Sequence, residues 1–521
     1  MELSSSLLDL HLSSSSERSC PSVPLPPIAE LLSQLQKELI TSSSISETNA
    51  LIGRVELLFR TADPNWLFSS AKAELQETYQ SLISALIGCA ALPLCQDDCN
   101  SLPATAYQSI PSRAVLVCSA LRVLMGTLGH WEGSGGPGLG HTGLLLTVVP
   151  SVCIFAVTHL QDELWTNASS RAAAQSLQVE LLRAGGWRDT SHLLMGDEVL
   201  GGVLDILQPQ LTKASWQRCE AVKLVFVWIL LQVRGFTCQW FCTGCFFTGS
   251  VSFGFVQVTR PSLSPHLPRL LPPSLILSDH FRPENCILGV RCLHHIVLNT
   301  AAADLRQFNR AEVLYHALFK HLYTAEAAVI QLVLSCLLDL LLVLEKAPSS
   351  STRLKPCRHD DVLHLVLTHM EVEQKVALRR VYASALTRYV SRMGVAVCRH
   401  LRRVERVVLG YLEVRDPPEE MCRLKMLEVL QQTTRAAWPR MECRLGALLC
   451  CLMKMLVDVS SDSELNASVR HKLIDEAVLC IKLLDVASHR KIQSLLRQVE
   501  SGCCSSEVLG CLATVSVATE R

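Results

Sequence analysis

From Arg399 to Glu420 the chain reads RHLRRVERVVLGYLEVRDPPEE. Leu401, Val404, Val408, Tyr411 and Leu412 recur at three- and four-residue steps, the spacing that puts side chains on one face of an α-helix. Asp416, Pro417 and Pro418 end the pattern, because proline lacks the amide hydrogen that the next turn needs. Arg399, Arg402, Arg403 and Arg406 fall on the other side at compatible spacing and are expected to point outward. An apolar stripe on one side and charge on the other describe a helix that must be covered by a neighbour.

The same pattern extends in both directions. Asn309 is the expected N-cap of a helix whose face carries Leu314, Ala317, Leu318 and Leu322, and Val469, Leu473, Ala477, Cys480, Ile481 and Leu484 form another stripe. If helices pair, successive pairs begin near Glu284, Ala325, Val372, Glu419 and Ser468. That step of roughly 40 to 50 residues is the HEAT or armadillo period. One pair alone leaves an apolar face wet, and stacking buries it. The expected fold is all-α: an α-solenoid of HEAT/armadillo-like antiparallel helix pairs with a long surface for large partners.

Composition agrees with this class. The 521 residues exceed what one core organises, and 49% are hydrophobic while only 5% are aromatic, which favours leucine-rich stacked helices over sheets. The 48 basic and 48 acidic residues cancel, so no global field draws the chain to nucleic acid or an anionic membrane, and neither is expected as a direct partner. The 23 cysteines are scattered through apolar stretches, as at Cys286, Cys292, Cys336, Cys450, Cys451 and Cys480, and are expected to be small buried hydrophobes in a reducing cytosol or nucleus. Glu2 and Asp9 interrupt the N-terminus, so no secretory signal is expected, and the sequons at Asn167 and Asn466 should go unused. Ala327 to Leu344 approaches membrane-span length, but Gln331, Ser335 and Asp339 make one polar stripe on it, which points to a core helix.

The expected organisation is a serine-rich disordered tail over 1–24 and an N-terminal helical region over 25–233, interrupted by a Gly-rich loop near 126–143. An atypical Cys- and aromatic-rich insert follows at 234–257, and C-terminal HEAT-like repeats occupy 258–521.

Motifs that carry chemistry are few. Cys238, Cys242 and Cys245 in CQWFCTGC have a spacing that can hold three irons of a four-iron cluster, which makes an iron-sulfur enzyme the remote alternative. No strand-helix alternation surrounds them, and an inserted or mis-spliced segment explains them better. His359, His364 and His369 with Asp360 and Asp361 resemble a ligand list, but five-residue steps on a helix turn each away from the last, so a solvated face is expected. His294 and His295 are expected as one core and one exposed histidine. No phosphate loop, H-E-x-x-H or G-x-S-x-G occurs, and no catalytic, cofactor-binding or metal-binding residue is assigned. The arginine stripe is an ordinary solvated face or a site for an acidic protein segment; a phosphate-tracking groove would need interleaved aromatics.

Long ungapped stretches resemble a known family: ENCILGVRCLHHIVLN from Glu284, AAADLRQFNRAEVLYHALFKHLYT from Ala301, QLVLSCLLDLLLVLEK from Gln331, CIFAVTHLQDELWT from Cys153, VLHLVLTHMEVE from Val362 and the segment quoted first. The chain is similar to the smallest subunits of the Triple T (TTT) cochaperone complex. The resemblance implies a non-enzymatic, cofactor-free HEAT-like scaffold, cytoplasmic and nuclear, whose partners are the two larger subunits. It also implies a role with the heat-shock protein 90 system and its AAA+ ATPases in maturing phosphatidylinositol-3-kinase-related kinases (mTOR, ATM and ATR), hence in DNA-damage and growth signalling. A helical-repeat adaptor for transport or nucleic-acid-associated complexes is the alternative. The family pattern runs directly from a segment like WILLQV into one like TRPSLSPHL, so residues 234–258 depart from it.

Overall fold

The computed structural model describes residues 26–95, 102–134, 143–196, 199–233, 263–346, 348, 356–499, 508–510, 513 and 515, and no strand occurs among them. The tail, the insert with Cys238, Cys242 and Cys245, and most of GSGGPGLG lie outside the described residues. The chain divides into two compact units, 1–273 and 274–521.

In the first unit the long helices are α1 (Ile28–Thr41), α2 (Ile45–Thr61), α3 (Lys72–Cys89), α4 (Ile110–Ser134), α5 (Leu144–Leu160), α6 (Ala168–Ala184), α7 (Val199–Leu207) and α8 (Ala221–Gln232). They stack in two layers, α1 on α3 on α5 and α2 on α4 on α6. Helix α4 runs eight residues past Gly126, where the sequence suggested a break. Packing supplies the reason. A Cβ at Gly129 would lie 2.6 Å from Ala184 Cα, so the glycine lets α6 approach and the helix continues through it. Both sequon asparagines serve as caps: the Asn167 side chain accepts from the Ser170 N–H at 2.8 Å and that of Asn466 from the Ser468 N–H at 2.9 Å.

A helix over Leu267–Ser278, α9, carries the division between the units at Pro273. The second unit continues with α10 (Pro283–Asn299), α11 (Arg310–Lys320), α12 (Ala327–Leu344), α13 (Arg358–Val372), α14 (Val376–Met393), α15 (Leu401–Leu412), α16 (Met421–Ala437), α17 (Leu445–Ser461), α18 (Ala467–Ala487) and α19 (Lys491–Val499). Helices α13, α15 and α17 pack as a first layer, and α10, α12, α14, α16 and α18 pack in succession as a second. Pairs joined by short turns, α11 with α12, α13 with α14, α15 with α16 and α17 with α18, make this an α-solenoid of HEAT-like helix pairs. The five points expected as pair starts each fall within four residues of a helix start in the second layer, Pro283, Ala327, Val376, Met421 and Ala467; the last four begin the second helix of a pair, so the period is as expected and the phase differs by one helix.

Helix α12 is an interior helix of this unit, covered by α10, α11 and α14, with Val333, Leu337, Leu340 and Leu341 fully buried. Two residues of its polar stripe meet neighbours, and Gln331 is exposed. Asp339 Oδ2 lies 2.8 Å from His294 Nε2 on α10, and Ser335 Oγ accepts from Arg388 Nη1 on α14 at 2.9 Å. His294 and His295 are both half-buried, so neither is a core residue and neither is fully exposed. Asn309 does not cap α11 with its side chain. Its φ of 56° follows a φ of 54° at Phe308, two left-handed residues that turn the chain into the helix. Cys286, Cys292, Cys336, Cys451 and Cys480 are buried as expected, but Cys450 is exposed, because Cys451 beside it takes the buried face about 100° away.

Two outcomes test this packing. Gly129→Ala forces α4 and α6 apart and should cost about 1–3 kcal/mol, read as a lower midpoint in urea unfolding; an unchanged midpoint would show that the helices part freely. His159 on α5 is 1% exposed, and burial pushes its pKa down to about 4. The unfolded imidazole, near 6.5, therefore binds a proton that the folded one refuses. Its contribution is fully present above pH about 6.5 and is lost as pH falls toward about 4, up to about 3 kcal/mol. A His159→Leu chain should lose that part of the acid sensitivity in melting curves taken across the window.

Candidate interaction surface

The structure splits the four arginines that sequence grouped together. Helix α15 begins at Leu401, so Arg399 precedes it in a 3-10 turn over Gly394–Arg399. Arg399 Nη1 donates to Asp360 Oδ2 at 2.7 Å. Arg403 reaches back to α13, donating to Glu371 Oε2 at 3.1 Å, to Thr368 Oγ1 at 2.9 Å and to the His364 carbonyl at 3.1 Å. Arg406 is 71% exposed and stands 3.6 Å from Glu371. Arg402 is exposed and has no carboxylate partner among the described residues. The face expected to be uniformly outward is half consumed by α13, because first-layer helices of successive pairs lie side by side.

The first turn of α13 also departs from the solvated face expected for it. His359 is 0% and Asp360 4% exposed. Asp360 accepts from His400 Nε2 at 2.7 Å, from the Cys357 N–H at 2.9 Å and from the Cys357 thiol at 3.3 Å, besides Arg399. Burial by itself would raise this carboxyl's pKa. The donors from His400 and Cys357, with the Arg399 charge, outweigh it and hold the group below its ordinary value. Burial lowers the His359 pKa against the pull of Glu345, and it pushes the Cys357 thiol up to about 11. A neutral thiol beside a neutral imidazole is not an activated nucleophile.

Glu345, Cys357 and His359 bring ligand atoms within 4.8 Å of one another. Both Glu345 oxygens already accept from the Arg358 N–H at 3.2 Å, and one from Arg358 Nη1 at 3.0 Å. Arg358 also grips Glu312 on α11 with two 2.8 Å contacts. The group is a capped helix start tied to the preceding pair. His364 is exposed and His369 stacks on Tyr382 at 5.9 Å, so the three histidines diverge as their spacing requires.

A comparison with protein-family models gives no match. The chain is 43% identical over 377 residues to human TELO2-interacting protein 2, covering 71% of this chain and 69% of that protein. It is 40% identical over 418 residues to the mouse protein of the same name, covering 78% and 76%. The chain belongs to the TELO2-interacting protein 2 family. Among solved structures it is similar to Kap121p (TM-score 0.43, 12% identity, 98% of this chain and 48% of that one) and to importin beta (TM-score 0.41, 12% identity, 95% and 53%).

Asp360 tests the seam beneath the stripe. Asp360→Ala leaves Arg399 and His400 without their shared anion and should cost about 3–5 kcal/mol in urea unfolding, whereas Arg402→Ala should stay within about 0.5 kcal/mol. The depressed carboxyl makes its contribution above its unfolded pKa and loses it as pH falls below about 4. Equal midpoints for the two variants would show the seam to be idle.

Proposed function

We propose that this chain is a non-enzymatic scaffold subunit of the Triple T complex, binding TELO2 and the other large subunit. In this role it supports the maturation and stability of phosphatidylinositol-3-kinase-related kinases of the mTOR, ATM and ATR class, in cytoplasm and nucleus. The observation that carries this reading is membership of the TELO2-interacting protein 2 family over some seven-tenths of the chain. The helix-pair stack supports it, since such stacks offer long faces to large partners. The buried polar groups described above are spent on joining one pair to the next, which suits a scaffold. Kinase clients are handed on with the heat-shock protein 90 system and its AAA+ ATPases.

Depleting the protein should lower the steady-state levels of several of these kinases together while their transcripts stay constant. Pulse-chase labelling reads the shortened half-lives directly; unchanged half-lives would sink the kinase role, and failure to co-purify with TELO2 would sink the assembly.

A further inference from the structure

Two successive turns of the second unit, 394–400 and 438–444, are joined by a hydrogen bond from Arg440 Nη1 to the Cys398 carbonyl at 3.4 Å. Each exposes an apolar side chain, Val395 at 60% and Trp438 at 51%. The surrounding segments, 394–412 and 435–444, contain seven arginines and two glutamates. Both glutamates are already used: Glu405 pairs with Arg444 and Glu442 with Lys491. From α13, Asp360 and Glu371 take up Arg399, Arg403 and, more loosely, Arg406. Arg402, Arg435 and Arg440 remain, all exposed and without a carboxylate partner among the described residues. A chain of zero formal charge therefore has a local positive excess on two joined segments, one of which exposes an indole.

We infer that this corner is a docking site for an acidic, extended protein segment carrying one large aliphatic or aromatic residue. The apolar residue covers Trp438 and Val395, and carboxylates flanking it meet Arg402, Arg435 and Arg440. Tryptophan and arginine are the residue types that anchor interfaces, the first by the area it buries and the second by its paired donors to carboxylate. Charge complementarity selects an acidic partner. Nucleic acid is disfavoured because one indole offers no series of stacking platforms, and most neighbouring arginines are tied to carboxylates instead of lining a groove. The inference stands apart from the cochaperone role, since it uses only the charges and exposures of this corner.

The test uses the purified full chain and fluorescence anisotropy with labelled synthetic probes: a glutamate-rich peptide with a central leucine, the same peptide with serine for leucine, a lysine-rich counterpart, an oligothymidine, and phosphatidylserine vesicles in a sedimentation arm. Saturable binding is expected for the acidic leucine peptide, weakening as salt rises, with serine costing most of the affinity. Trp438→Ala and the pair Arg402→Glu with Arg440→Glu should each weaken it about tenfold or more, Trp438→Phe should retain much of it, and Lys213→Glu, exposed in the first unit, should change nothing. Melting curves confirm that the variants are folded. Absence of saturable peptide binding, equal binding by all variants, or a preference for oligothymidine or vesicles that these substitutions abolish would each overturn the assignment.

Discussion

Everything in the second unit depends on covering the apolar faces of its second-layer helices. Helix α12 carries ten buried residues, and each fully buried leucine, isoleucine or valine is worth about 1.5–3 kcal/mol relative to leaving it wet. No single partner can cover so wide a face. α11 covers one flank, and α10 and α14, its neighbours in the same layer, cover the others. The repeat is therefore a consequence of burial: each pair finishes the core of the one before it. Close approach is part of the same constraint, since a Cβ at Gly289 on α10 would stand 2.1 Å from the Ser278 amide nitrogen on α9.

Apolar faces alone could slide past one another by a turn. Directional bonds between pairs prevent it. Tyr389 OH donates to the Leu334 carbonyl at 3.0 Å, Arg423 Nη2 to Asp458 at 3.0 Å, and the Arg379 guanidinium lies 3.7 Å over the Tyr411 ring. Arg380 ties α14 to Asp416 in the turn after α15 at 3.2 Å, and Asp416 in turn accepts the Cys422 N–H at 3.0 Å. Removing water from such groups offsets much of what their attraction contributes. Their effect is on register, because a bonded pair is satisfied in one alignment only and a slipped one leaves buried charge unpaired.

This internal use of charge also shapes the outside. Where a carboxylate from the neighbouring pair is within reach, an arginine is bonded into the seam, as Arg399 and Arg403 are. Where none is, as at Arg402 and Arg440, the charge stays available to a partner. The binding character of the surface is thus what remains after stacking has taken its share.

By itself the sequence determined the helices, their apolar faces and the period at which pairs recur, because residues three or four apart lie on one face whatever surrounds them. It also determined that the histidines at 359, 364 and 369 cannot converge, which is a property of helical pitch. Only the tertiary structure decided that α4 runs through Gly126 and Gly129, that His359 and Asp360 are buried, that Cys450 faces solvent, and that Arg399 and Arg403, of the four arginines, are hydrogen-bonded to α13. Each of those outcomes turns on which neighbouring helix lies alongside and how closely. Asp360 and Arg399 are thirty-nine residues apart and meet only because α13 and the turn before α15 are stacked, an arrangement that no local periodicity records.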